Sequence, residues 1–401
     1  MSRSCADARL TRRGFCVALA LTIIPAHAQE PGDFAAFLET LWPAARAQGV
    51  SRATFSREAA GLTPDPKLMG GGVRQAEFER TIKTYMDDAV TPGRVARGRE
   101  AAQRWRAELA AIENRYGVPA EIILAVWGME TDFGRIHGEK DVLRSIATLA
   151  YARQDNAIFA EEFVAALVML EKGLVRRERF KGSWAGAMGH PQFMPSSYLR
   201  HAVAYEGAGP ADIWNSAPDA LASIANFLSQ QGWTRSLPWG GEVMIPKSFD
   251  WASLKGPVRG FAGKGVAPAG GAALPPAAEA TLFLPAGVGG PAFLLTDNYW
   301  LIKRYNNSDS YALSLAVLGE RIAGRAGLAA RWPADFRLLP RAERIRLQEL
   351  LTDQGFYDGK IDGRFGPASR DAIHRFQRAA GMRPADGHPS PALLERLRRA
   401  R

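Results

Sequence analysis

The segment Val118-Pro-Ala-Glu-Ile-Ile-Leu-Ala-Val-Trp-Gly-Met-Glu-Thr-Asp-Phe-Gly134 decides how the rest of the chain is read. Its pattern predicts a short helix. Pro119 takes the first helical position, where a missing N–H is harmless, and Gly134 is the stop. Ile123, Val126, Trp127 and Glu130 follow the i, i+3, i+4, i+7 spacing, so they share one face. Glu130 thereby ends an apolar stripe. Desolvation and the negative end of the helix dipole both favour the protonated form of a carboxyl placed there. A general acid near neutral pH requires that form. On this helix alone, a solvated carboxylate at the helix edge is the commoner arrangement, so the choice falls to the remaining chain.

Outward from this segment the pattern is helical on both sides. Phe34, Phe37, Leu38, Leu41 and Trp42 mark one amphipathic segment, and Phe78, Ile82, Tyr85 and Met86 another; Trp105, Leu109 and Ile112 precede the central helix. After Gly134 come Ser145 to Tyr151 and a long helix with Phe159, Phe163, Leu167 and Leu170. Residues 181–195 carry small residues and two prolines among aromatics, the composition of a loop that approaches something closely. Helices resume at Pro195 and Pro218. From Trp233 to about Asp297 Gly, Pro and Ala dominate, with β-like pieces at 241–245 and 281–284, predicting a small loop- and β-containing subdomain inserted in a helical body. Residues 326–340 read as a linker, with Trp332 and Phe336 able to dock. Residues 341–401 read as three short helices around the loop Gly359 to Gly366. The fold class is mostly α: a helical body over 29–325, insert about 233–297, then a small three-helix domain.

The chain has 401 residues, enough for two or three domains. Arg3, Arg9, Arg12 and Arg13, the apolar run Cys16 to Ile24 and the small-residue site Ala26-His-Ala28 predict a cleaved export signal over 1–28, an uncleaved anchor being the alternative. Thr11-Arg-Arg-Gly-Phe15 resembles the twin-arginine export motif, which implies a periplasmic protein. No later run reaches the ~18 apolar residues that a spanning helix needs. Cys5 and Cys16 both lie in the signal, so the mature chain has no thiol chemistry. The remaining histidines lack the close spacing of zinc ligands, which argues against a zinc enzyme. Of the formal charge of +10, four arginines and one aspartate leave with the signal, and residues 336–401 carry fourteen Lys plus Arg against eight Asp plus Glu. The basic tail suits a polyanionic partner: nucleic acid, anionic lipid or a carboxylate-bearing wall polymer. An exported chain without a known basic reading motif argues against nucleic acid.

Three separated segments resemble one family. Glu130-Thr-Asp-Phe-Gly134, Gly182-Ser-Trp-Ala-Gly-Ala-Met-Gly189 with Gln192-Phe-Met-Pro195, and Tyr305-Asn306 with Tyr311 are similar to lytic murein transglycosylases of the B type, in order and spacing, from about residue 33 to 325. Asp362-Gly-Arg-Phe-Gly366 and Ala372-Ile-His-Arg-Phe-Gln377 separately resemble a three-helix peptidoglycan-binding module. The resemblance implies a lysozyme-like catalytic domain acting on peptidoglycan glycan strands without a cofactor. It implies cleavage of the β-1,4 bond between N-acetylmuramic acid and N-acetylglucosamine, the muramoyl O6 closing on C1 to leave a 1,6-anhydro end.

On that resemblance Glu130 is the catalytic acid and then base. Glycosidases that add water usually need two carboxylates, ~5–5.5 Å apart when retaining and ~6.5–9.5 Å when inverting. Asp132 lies about 200° round a helix from Glu130 and is expected to point away and hold the turn. Ser183 and Gln192 match cleft positions, with loop-internal bonding as the alternative, stronger for Ser183. Trp184 offers a face for sugar stacking or a core residue. Asn306 matches the residue positioning the reacting N-acetyl group, flanked by Tyr305 and Tyr311, and Arg153 is matched to stem-peptide or muramoyl carboxylates. The stretch 204–214 holds only Glu206 and Asp212 where relatives carry an acid-rich loop, too few for the ~6–8 oxygens calcium needs. A tyrosine common in the next helix is Phe227 here. In the tail, Asp362 holds a turn, Gly363 and Gly366 supply unusual backbone angles, and Arg364 and Arg370 face peptide carboxylates. Two other readings stay open: a muramidase that adds water, and a non-catalytic wall-binding scaffold.

Overall fold

The computed structural model describes residues 31–70 and 79–400. The export-signal reading, its cysteines and Phe78 lie outside the described residues. The architecture is mostly helical, with one five-stranded sheet and a two-stranded ribbon among the described residues.

The Ala120–Thr131 helix runs through the middle of the body. Pro119 is its extended N-cap, one residue outside the helix, and Glu113 Oε2 accepts from the Ala120 N–H at 3.1 Å, a carboxylate on a helix N-terminus. The single apolar stripe is corrected: Ile122 to Gly128 are all buried, so neighbours cover every side. The helix ends earlier than the glycine stop, because Asp132 and Phe133 already take left-handed angles, φ 50° and 61°. The Asp309–Ile322 helix packs alongside and runs antiparallel, with Gly319 beside Glu121 at one end and Tyr311 beside Glu130 at the other. A Cβ at position 319 would come within 3.1 Å of the Glu121 carbonyl, so glycine permits the close approach.

The insert is a fully antiparallel sheet ordered Lys255–Pro257, Glu279–Phe283, Ala292–Leu295, Gly240–Met244, Ala267–Pro268. Alternation along its central strands splits the side chains between two cores. Leu282 and Leu294 face a small lobe core with Phe249 and Phe261, while Phe283, Phe293 and Leu295 join the main helical core. The sheet therefore sits on the body and feeds through Thr296 into the Asp297–Lys303 helix and the Tyr305–Asn306 turn.

The three C-terminal helices, Arg341–Asp353, Pro367–Ala379 and Pro391–Arg399, enclose a separate core of Leu347, Leu350, Leu351, Ile373, Phe376, Leu393 and Leu397. Buried Gln348 accepts from the Asp362 and Gly363 N–H groups, and Gln377 accepts from Gly387, so two glutamines each grip an Asp-Gly turn. Asp362 Oδ1 accepts from Arg364 N at 2.8 Å, holding its turn as expected. Gly363 has φ 74°, but Gly366 is an ordinary extended N-cap at φ −96°. The segment 326–340 is packed down, not a free tether. Trp332 and Phe336 stack at 5.5 Å, and the Ala329 and Ala330 N–H groups donate to buried Glu242.

Candidate active site

Glu130 ends the central helix, half-buried. The Tyr311 hydroxyl donates to its Oε1 at 2.5 Å. Tyr305 stacks on Tyr311 with ring centroids 6.5 Å apart and planes 12° from parallel, and its hydroxyl donates to the Pro191 carbonyl at 2.7 Å. The two tyrosines thus join the carboxyl to the 181–195 loop. Burial first, then the Glu130 charge, pushes both phenols well above their ordinary pKa, so they remain neutral donors. Phe227 packs edge-on against Tyr305 at 4.9 Å.

Asp132 turns away from this group. Its Oδ1 accepts from Arg97 Nε at 3.0 Å and Nη2 at 2.7 Å, and Oδ2 from Arg135 at 3.4 Å, while Arg94 Nε lies 3.7 Å from Oδ1. A carboxylate held by three arginines is structural charge pairing.

The loop is built from its own hydrogen bonds. Ser183 Oγ accepts from Ala185 N at 3.3 Å and Ala187 N at 3.0 Å, and Gln192 Nε2 donates to the Gly189 and His137 carbonyls at 2.9 and 3.2 Å. Ser183 takes the loop-internal arrangement, while Gln192 also ties the loop to the His137 backbone. Gln192 itself sits at φ 51°, a left-handed angle rare for a residue with a Cβ. Trp184 is 40% exposed beside Ala185, which packs on Leu149 and Phe159, so its indole is no core residue. Asn306 is half-buried directly after Tyr305, and its carbonyl accepts from Ser308 N in a tight turn. Arg153 caps the Val142–Ala152 helix, and its buried Nε makes no hydrogen bond among the described residues.

A histidine not singled out in the sequence organises the floor. His190 Nδ1 accepts from Trp127 Nε1 at 2.9 Å, and Thr131 Oγ1 donates to the His190 carbonyl at 3.0 Å. Burial first, then neighbouring His137, lowers the His190 pKa to about 4, against a backbone hydrogen bond to Trp214 and the Asp212 charge. The signal in the sequence was Gly134: with φ 81°, a Cβ there would lie 2.5 Å from His190 Cε1. In the acid-poor loop Asp212 accepts from Trp214 and Asn215, and Asp219 from Tyr205 and Asp212, so carboxylates cap backbone there. Among the described residues no group of three His, Cys, Asp or Glu is placed to hold a metal ion, and no helix is long and apolar enough to cross a membrane.

Comparison with known proteins supplies the family. The transglycosylase SLT domain family matches residues 33–320, and a peptidoglycan binding domain family matches residues 340–397. Membrane-bound lytic murein transglycosylase B of Escherichia coli (strain K12) is 32% identical over 246 residues, 60% of this chain and 66% of that protein, just under two thirds of its length. SltB3 of Pseudomonas aeruginosa in complex with NAG-anhNAM-pentapeptide superimposes with a TM-score of 0.80 at 39% identity, covering 91% of this chain and 99% of that one. Its complex with NAG-NAM-pentapeptide gives a TM-score of 0.81 at 38% identity over the same shares. Matched along most of its length by both sequence and fold, the chain belongs to the transglycosylase SLT domain family of lytic murein transglycosylases and carries a peptidoglycan binding domain at its C-terminal end.

Proposed function

We propose that the chain is a peptidoglycan lytic transglycosylase in which Glu130 is the single general acid/base. The observation that carries this reading is the hydrogen bond from Tyr311 to Glu130, with the nearby Asp132 carboxylate committed to arginines. In the first step the Glu130 carboxyl gives its proton to the glycosidic oxygen between N-acetylmuramic acid and N-acetylglucosamine. The C1–O bond breaks and C1 gains oxocarbenium character. In the second step Glu130, now a carboxylate, takes the muramoyl O6 proton as O6 bonds to C1. No water is consumed and the carboxyl returns to its starting form.

The two-carboxylate geometry of water-adding glycosidases supplies a contrast. With Asp132 paired to Arg97, the carboxylate nearest to Glu130 in sequence is not free to activate water, which favours the O6 attack over the muramidase reading. Asn306, in the turn between Tyr305 and Tyr311, is proposed to hold the substrate N-acetyl group, and Trp184 to stack on a sugar face. Ser183 and Gln192 are proposed to act by shaping the cleft loop, and Arg153 is assigned no contact. The N-terminal 28 residues are read as a twin-arginine signal directing the enzyme to the periplasm, where the C-terminal domain raises its local concentration on an insoluble polymer.

The test is product analysis by mass spectrometry of murein digested with wild type and Glu130→Gln. Wild type should release 1,6-anhydro ends and Glu130→Gln none. Reducing ends from the wild type would replace this reading with the muramidase, and clearance by Glu130→Gln would end the catalytic assignment.

A further inference from the structure

The segment that carries Tyr305, Asn306 and Tyr311 is closed by an ion pair at its base. Lys303 Nζ lies 2.8 Å from Asp309 Oδ1, and the Tyr299 hydroxyl donates to the same oxygen at 3.2 Å. Asp309 is in the first turn of the helix that bears Tyr311, and Ser308 caps that turn by accepting from Tyr311 N at 3.3 Å. The other carboxylate oxygen, Oδ2, is taken by Arg370 Nη1 at 2.7 Å. Arg370 belongs to the Pro367–Ala379 helix of the C-terminal domain.

This contact sits in a docked interface. The Arg370 guanidinium also lies 4.5 Å over the Phe283 ring of the inserted sheet. His374 Nε2 pairs with the Trp251 carbonyl at 2.8 Å, Arg378 donates to the Ala252 carbonyl at 2.8 Å, and Val288 N donates to Asp386 at 3.2 Å. Asp309 is 9% exposed, so it cannot exchange a lost partner for bulk water without moving the turn. Burial opposes its charge, but Arg370 and Lys303 together hold its carboxyl well below the usual carboxylate range.

We infer that Arg370 is a positioning residue for the reaction: by pairing with Asp309 the C-terminal domain fixes the Tyr305–Tyr311 segment, and through Tyr311 the Glu130 carboxyl. The domain then serves the chemistry as well as attachment to the wall, a step that rests on the proposed role of Glu130. The Arg370 guanidinium is therefore spent inside the protein, which corrects its assignment to peptide carboxylates.

The experiment uses the full chain with Arg370→Ala, Arg370→Lys and Arg378→Ala. Turnover is measured on a soluble glycan fragment of two disaccharide repeats, for which attachment to sacculi is irrelevant. Arg370→Ala should lower kcat about tenfold with KM within about twofold, and Arg370→Lys should regain a third or so of wild-type kcat. Arg378→Ala loosens the same interface away from Asp309 and should keep wild-type kcat. Wild-type kcat in Arg370→Ala, or an equal fall in Arg378→Ala, would overturn the inference. Hydrogen–deuterium exchange over residues 304–312 reads the clamp without turnover. It should quicken in Arg370→Ala and not in Arg378→Ala, and unchanged exchange in Arg370→Ala overturns the inference whatever the activity. A wild type that cleaves no glycan sinks the functional reading alone, because the exchange result still decides the clamp.

Discussion

Tyr311 and Glu130, 181 residues apart in sequence, meet across 2.5 Å because two buried helices run antiparallel with a glycine at their other end. The phenol stays protonated, so in the proposed cycle it can donate to whichever oxygen Glu130 presents as the carboxyl gives and regains its proton. That bond is worth most when the carboxylate is charged, the state that the proposed first step reaches. Tyr311→Phe should therefore lower kcat roughly ten- to a hundredfold, from the ~1.5–3 kcal/mol of a hydrogen bond to a charged group, with little change in KM. Steady-state kinetics on a soluble glycan fragment checks this, and an unchanged kcat would remove Tyr311 from the site.

Asp132 is the carboxylate nearest to Glu130 in sequence, and its partners are Arg97, Arg135 and Arg94. Asp132→Asn leaves these arginines facing one another across a partly buried turn. The expected loss is about 1–3 kcal/mol of stability, with 1,6-anhydro ends still the only product. Thermal melting alongside product analysis separates the two effects. A change from anhydro to reducing ends would mean that Asp132 had been guiding the attacking group.

The family-bearing segments were legible because their chemistry is local. Glu130 at a helix end, glycines around the 181–195 loop and the Asp-Gly turns of the tail all announce themselves within a few residues. Tertiary packing was not legible. Periodicity gave the central helix one apolar stripe because polar residues at its ends carry the pattern, whereas Ile122 to Gly128 are covered on every side. Gln192 suggested a substrate amide, but a side chain beside a left-handed backbone also finds carbonyls close by, here Gly189 and His137. Arg370 looked like surface charge until the fold placed Asp309 beneath it. His190 had no sequence signal of its own, only the small residue at Gly134 that leaves its ring room.

Trp184 is the large aromatic that the loop turns outward, 40% exposed. Because little of the core depends on it, Trp184→Ala should shift stability by no more than about 0.5 kcal/mol. A lost sugar-stacking face should raise KM on glycan fragments roughly three- to tenfold with kcat nearly intact. Kinetics on fragments of increasing length is the measurement, and a KM equal to wild type at every length would make Trp184 an ordinary exposed residue.

The His190 ring supplies a pH dependence whose sign is fixed by its surroundings. Its folded pKa of about 4 lies below the ordinary histidine value of 6.5, through burial first and the nearby His137 ring second. Between those two values the unfolded chain binds a proton that the folded chain refuses, so stability falls as pH drops from 6.5 towards 4 and the contribution is flat above and below. At ~1.4 kcal/mol per pH unit, discounted for partial solvent screening, the loss across the window is roughly 2 kcal/mol. The mechanism is concrete: the Trp127 indole N–H already points at Nδ1, so a proton there would set two donors against each other. Chemical denaturation at half-unit intervals from pH 4 to 7 should show this slope in the wild type and a shallower one in His190→Asn. Equal slopes in the two proteins would assign the acid sensitivity to other groups.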